Sequence, residues 1–249
     1  IVLVTGPTGS GKSTTLYAAL EAMRDGSNKI ITVEDPVEYQ VSGVTQIQAH
    51  NEIGYTFSRA LRAILRQDPD TIMIGEIRDL DTAQIAIQSA LTGHLVLSTL
   101  HTNDAASAFT RLVDMGLEPF LVAASVRGVQ AQRLVRRLCE QCAVDDDHPL
   151  LPQGWSISQP AFAAANWKKA MGCSHCHHTG YRGRLGIYEL VALDGALQQL
   201  VNRQAPLQEI KSLIRQQGQR TLFEDGLIKA SRGLTSIEEV MRVAYVEHD

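Results

Sequence analysis

No stretch of this 249-residue chain approaches the ~20 consecutive apolar residues that a bilayer-crossing helix needs, and no signal-peptide pattern precedes its first apolar run. A cytoplasmic setting is therefore expected. Blocks of Lys and Arg are missing too: 23 basic against 27 acidic side chains leave a formal charge of −4, with no basic tail for a polyanion. Aromatic residues are scarce, and the few present form no interleaved basic and stacking groove of the kind that holds a single strand. These absences count against nucleic acid as the principal ligand. Internal repeats and low-complexity segments are also lacking, while 44% hydrophobic and 20% charged residues suit one large or two smaller cored domains. The chain opens at Ile1, without Met and inside an apolar run, as expected of a segment cut from a longer protein.

What is present begins with Gly6-Pro7-Thr8-Gly9-Ser10-Gly11-Lys12-Ser13, which follows the apolar Ile1–Val4 and leads into the helix-forming Thr14–Leu20. Glycines let the backbone curl until successive N–H groups point inward at phosphate oxygens, with a helix N-terminus behind them. Lys12 is placed to reach the β and γ phosphates and Ser13 to offer its hydroxyl to Mg²⁺. The Lys-Ser ending separates this Walker A pattern from a dinucleotide-binding turn. The residues expected to cradle ATP are Gly6, Pro7, Thr8, Gly9, Ser10, Gly11, Lys12, Ser13 and Thr14.

Apolar, β-rich stretches (residues 1–5, 29–33, 71–74 and 95–99) alternate with helical ones (13–23, 56–65, 81–91 and 104–115). That order predicts an α/β fold with a mainly parallel sheet and helices on both faces. Ligands of such sheets lie beyond the carboxyl ends of the strands, where residues 6–13, 34–38, 75–78 and 100–104 fall. Among them, Glu34 is the first candidate to orient or deprotonate an attacking water, with Glu38 in reserve. An acidic solvated turn stopped by Pro36 is the competing reading of that segment. Glu76, in Gly75-Glu76-Ile77-Arg78-Asp79, fits the acidic end of a Walker B strand, although Gly75 stands where many such enzymes carry Asp. His94 and His101 bracket Leu95–Leu100, so only His101 is expected near the phosphates, where it could sense an intact γ-phosphate. Arg62 and Arg66 lie at i, i+4 and are expected on one helix face. Local sequence alone favours a solvated face for them.

The only cysteines form two C-x-x-C pairs, Cys139/Cys142 and Cys173/Cys176. Two such pairs predict a closed tetrahedral Cys₄ site for structural Zn²⁺. Disulfides are the alternative, disfavoured in a reducing compartment. From residue 138 to 184 periodicity fades, as in a small inserted subdomain. Helical patterns return at 195–202, 207–216 and 221–231, and Ser236-Ile237-Glu238-Glu239 reads as a helix start. The expected division is an ATPase core at 1–137, a metal-binding subdomain at 138–186 and a helical C-terminal subdomain at 187–249.

Taken together, residues 6–13, Val33–Glu38, Gly75–Asp79, Gly93–Asp104 and the paired C-x-x-C motifs resemble the secretion and type IV pilus traffic ATPases over nearly the whole chain. Val33–Glu38, Gly75–Asp79 and Ser98–Asn103 resemble that family's Asp box, atypical Walker B and His box. Asp114–Phe120 and Thr221–Gly226 are most similar to the type II secretion branch, and the tetracysteine lobe resembles assembly-type members. The resemblance implies a RecA-like P-loop core and a homo-hexameric motor docked peripherally on the cytoplasmic domains of inner-membrane secretion platform proteins. It implies further that the ATP cycle drives pseudopilus assembly and so export of folded proteins across the outer membrane. It also implies that Arg62, Arg66 and Arg78 act at subunit or phosphate contacts, and that a further N-terminal domain completes the motor. The alternatives are a type IV pilus assembly ATPase, a nucleotide-gated switch and a hexameric nucleic-acid motor.

Overall fold

The computed structural model describes residues 1–152, 154–156, 162 and 164–244. Its elements are β1 (Val2–Thr5), α1 (Lys12–Met23), β2 (Ile30–Glu34), β3 (Thr45–Gln48), α2 (Phe57–Ile64), β4 (Thr71–Ile74), α3 (Leu80–Leu91), β5 (Leu95–Leu100), α4 (Ala106–Asp114), α5 (Pro119–Ser125), β6 (Gly128–Leu138), β7 (Val144–Asp145), β8 (Lys168–Lys169), β9 (Tyr181–Ala192), α6 (Gly195–Asn202), α7 (Leu207–Gln216), α8 (Leu222–Ser231) and α9 (Ile237–Ala244). Among the described residues one sheet runs in the order β3-β2-β4-β5-β1-β6-β9. The pairs β3/β2, β2/β4, β4/β5, β5/β1 and β1/β6 are all parallel. The expected α/β class holds.

The chain forms two compact units: 1–131 with 190–219, and 132–189 with 220–249. The expected edges at 137/138 and 186/187 fall inside β6 and β9, each a continuous strand that starts in one unit and ends in the other. The expected C-terminal helical body is likewise divided. In the first unit α6 and α7 pack on α5 and α4, with Lys211 Nζ 2.7 Å from the Asp104 carboxylate. In the second, Phe223, Leu227 and Ala230 of α8 and Ile237 and Val240 of α9 form one core with Phe162 and Trp167. Helical periodicity shows which face is apolar but not what covers it.

Beside the sheet of the first unit, Leu16, Tyr17 and Leu20 of α1 pack on Val4, Ile30, Met73 and Leu97. Each side chain fully buried in this way contributes about 1.5–3 kcal/mol. Asp79 caps α3 by accepting from the Thr82 N–H at 2.8 Å, and a reciprocal pair between Thr221 and Glu224 caps α8. At α9 the Ser236 hydroxyl accepts the Glu239 N–H, as expected of a cap, but the Glu239 carboxylate accepts from Arg136 and Arg242.

Candidate functional site

Because β1, β2, β4 and β5 run parallel, their carboxyl ends share one edge, and registers such as Thr5↔Leu100, Ile74↔Ser98 and Val33↔Ile74 bring the following segments level. The loop after β1 turns on Gly6, Gly9 and Gly11, with φ of 154°, 78° and 88°. A Cβ at Gly9 would meet nothing within 4 Å, so its positive φ, and not crowding, is what calls for glycine. Helix α1 starts directly at Lys12, and the N–H groups of a first turn stand outside the helix's own ladder. Lys12 Nζ lies over the loop, donating to the carbonyls of Gly6 at 2.9 Å and Pro7 at 3.0 Å, while Ser13 and Thr14 are exposed. Curled backbone, helix start, ammonium and exposed hydroxyl form a donor set suited to a polyphosphate and its cation.

Glu34 is the last residue of β2 and is buried. Its Oε1 accepts from the Thr32 hydroxyl at 2.6 Å and from Gln46 Nε2 at 3.1 Å. Its Oε2 accepts from the Tyr17 hydroxyl. A carboxylate in the core has its desolvation offset only by such donors. Glu38 is exposed on the following loop, its N–H bonded to the Tyr17 oxygen. Burial first, then the hydrogen bond to Glu34, pushes the Tyr17 phenol up to about 12, which keeps it protonated and a donor.

The β4–α3 loop places Glu76 against Arg78 in an ion pair and 3.6 Å from His101 Nε2. Thr99 Oγ1 donates to the Gly75 carbonyl at 2.7 Å, and the Ile77 N–H donates to Thr99 O at 3.0 Å. On the other side of β5, the Thr5 hydroxyl donates to Leu100 O and accepts the Thr102 N–H. His101 thus stands between two tethers. His94 lies at the opposite end of β5, with Nδ1 2.9 Å from Ser89 O. Gly75 occupies the expected Asp position for a steric reason, since a Cβ there would lie 3.3 Å from Val33 O and 3.4 Å from Glu34 Cα.

Helix α2 ends at Ile64 and a 3-10 turn spanning 65–67 continues it. Arg62 and Arg66 are both exposed on this segment, as the solvated reading expects. Arg62 donates to Asp81 of α3 at 2.6 Å, both half-exposed.

In the second unit the four cysteines come together with every Sγ within 4.8 Å of the others. The Cys139–Cys173, Cys142–Cys176 and Cys173–Cys176 separations are 4.0, 3.7 and 3.8 Å. A zinc ion with Zn–S bonds of about 2.3 Å sets its sulfurs roughly 3.8 Å apart, so the donor set fits zinc. The cysteines are free thiols, not disulfides. Burial opposes ionisation at both Cys142 and Cys176. At Cys176 the N–H groups of Cys173 and Gly180 outweigh it and pull the thiol down to about 6, whereas burial and the neighbouring thiols push Cys142 up to about 12.

Sequence reasoning missed Tyr17, Thr32 and Gln46 around Glu34, and Thr5 and Thr102 beside His101. Thr32 had one local signal, because residues i and i+2 of a strand share a face. The others meet across elements.

Residues 1–242 match the family model described as "Type II/IV secretion system protein". The chain is 56% identical over 243 residues to "Type II secretion system protein HxcR" of Pseudomonas aeruginosa, covering 98% of this chain and 48% of that protein. It is 52% identical over 243 residues to "Type II secretion system ATPase E" of Vibrio cholerae, with the same two coverages. It thus spans about half the length of the curated relatives it matches. The crystal structure of "the Pilus Retraction Motor PilT and Bound ADP" is similar with a TM-score of 0.71 and 30% identity, covering 97% of this chain and 60% of that one. On the extent of the family match and the identity to these relatives, the chain belongs to the type II/IV secretion system protein family.

Proposed function

We propose that this chain is the ATP-hydrolysing part of a type II secretion motor, a homo-hexamer at the cytoplasmic face of the inner membrane that powers pseudopilus assembly and so the export of folded proteins. The observation that carries the reading is the convergence of Lys12, Glu34, Glu76 and His101 on one sheet edge. The names of the relatives support the secretion branch.

In this reading the curled loop from Gly6 to Gly11 and the start of α1 bind the phosphate chain, and Lys12 leaves the Gly6 and Pro7 carbonyls for the β and γ phosphates. Mg²⁺, when bound, supplies charge neutralisation of those phosphates. Ser13 and Glu76 are the residues that would hold it. Glu34 orients the attacking water and takes its proton, with Glu38 in reserve. His101, in contact with Glu76, reports whether the γ-phosphate is intact, and Arg78 acts on the phosphates from the same loop. Arg62 and Arg66 are proposed at contacts between subunits. An exposed pair such as Arg62–Asp81 is worth under about 1 kcal/mol, so Arg62 can exchange its partner on assembly. Cys139, Cys142, Cys173 and Cys176 would hold zinc, which would stabilise the second unit.

Steady-state ATP hydrolysis by the full-length protein tests this, with and without the cytoplasmic domain of its inner-membrane platform partner and lipid, beside Glu34→Gln and with DNA as control. The expected result is hydrolysis stimulated by the secretion partner and lost in the variant. Stimulation only by a pilus platform domain would assign the chain to type IV pilus assembly. Stimulation by DNA alone would overturn both readings.

A further inference from the structure

We infer that Tyr17 and Gln46 are positioning residues that fix the Glu34 carboxylate, and that the loop from Asp35 to Val41 sets the direction in which both present their protons. The inference rests on the proposed role of Glu34 and extends it to side chains on two other elements.

Each clamp arm has its polarity set by a backbone group. The Tyr17 oxygen accepts the Glu38 N–H at 3.1 Å, so its single proton is directed to Glu34 Oε2. Gln46 Oε1 accepts the Val41 N–H at 2.7 Å, which orients the amide. Its Nε2 is thereby turned to Glu34 Oε1 at 3.1 Å and to the Tyr39 carbonyl at 3.1 Å. A hydroxyl has one proton and an amide nitrogen is donor-only, so the two backbone N–H groups leave Glu34 facing donors on both oxygens. Tyr17 is itself buried, and its ring meets that of Tyr39 edge to face with centroids 4.5 Å apart.

The arms arise from different places. Tyr17 belongs to α1, the helix that opens at the glycine-rich loop, and Gln46 to β3, the strand beside β2. Displacing the loop from Asp35 to Val41 would turn both donors away from Glu34 together. A carboxylate that must meet one water molecule gains from this arrangement, because a misplacement of about 1 Å at a reacting group costs on the order of 100-fold in rate.

The test uses the full-length protein with Tyr17→Phe and Gln46→Leu, each compared with Glu34→Gln. Steady-state kcat and KM for ATP are measured together with equilibrium binding of a fluorescent ATP analogue and thermal unfolding. Tyr17→Phe keeps the ring and its packing and removes only the hydroxyl. The expected result is a kcat lowered about tenfold or more in each variant, with KM and analogue affinity near those of the parent; the unfolding temperature falls, because each variant removes a donor from a buried carboxylate, but stays above the assay temperature. A purely structural role would lower affinity in step with turnover, and that pattern overturns the inference. A kcat within about twofold of the parent in both variants, with Glu34→Gln inactive, also overturns it and leaves the role of Glu34 standing. Full turnover by Glu34→Gln would remove the assignment of Glu34 itself. If Tyr17→Phe does not fold, Gln46→Leu decides by the same criteria.

Discussion

Glu239 of α9 is wholly buried and accepts from Arg136 of β6 through three bonds, from the backbone N–H and from Nε and Nη2, at 2.9, 3.0 and 2.7 Å. Arg242, one turn along α9, donates to both oxygens of the same carboxylate. Burial alone would raise the Glu239 carboxyl, but these donors outweigh it and hold it at about 2. The guanidinium of Arg136 also stacks on the Tyr181 ring, 4.1 Å from its centroid.

A group whose folded pKa lies below its unfolded value stabilises above the unfolded pKa and loses that contribution as pH falls through the folded one. The second unit should therefore lose stability between about pH 5 and pH 2. Glu239→Gln should cost on the order of 2 kcal/mol at pH 7, after allowing for the half-exposed arginines, and flatten the acid limb. Urea unfolding followed across that pH range checks this. An unchanged acid limb in the variant would remove the role assigned to the cluster.

Gly75→Ala should lower turnover more than it lowers stability. The added Cβ would press on Val33 O and Glu34 Cα, forcing a shift of a few tenths of an ångström next to the buried carboxylate. Expected are a destabilisation of about 1 kcal/mol and a clear loss of kcat, read from chemical denaturation beside steady-state hydrolysis. A stable variant with normal kcat would show that this spacing does not matter.

Zinc removal should act on the second unit first. The protein as isolated is expected to carry about one zinc per chain, lost in Cys142→Ser or with a strong chelator. Hydrogen exchange should then rise across 139–142 and 172–181 before it rises in β1–β5. Metal analysis showing no bound zinc, with unchanged exchange after chelation, would contradict the assignment.

Much of this was legible in the sequence, and the limits have physical causes. Strand β4 and helices α6 and α7 were placed to the residue, because short apolar runs and amphipathic stretches bounded by polar or Gly stops are local signals. Strand β3, Thr45-Gln46-Ile47-Gln48, was missed since it is partly exposed and carries no apolar run. Strand β6 was missed since Gln and Arg interrupt its alternation. The sheet edge that gathers Lys12, Glu34, Glu76 and His101 followed from the order of elements alone. Tyr17 did not follow, because it reads as one more apolar position on α1. Only the packing of that helix against β2 brings its hydroxyl to Glu34.

The most direct test separates nucleotide binding from turnover in the full-length protein, using Lys12→Ala, Glu34→Gln and Glu76→Gln. Binding of a fluorescent ATP analogue and single-turnover hydrolysis are measured for each. The account predicts that Lys12→Ala loses binding, that Glu34→Gln binds as the parent does and fails to hydrolyse, and that Glu76→Gln binds but depends on raised Mg²⁺ for any residual turnover. Near-parental single-turnover rates in all three variants would contradict it.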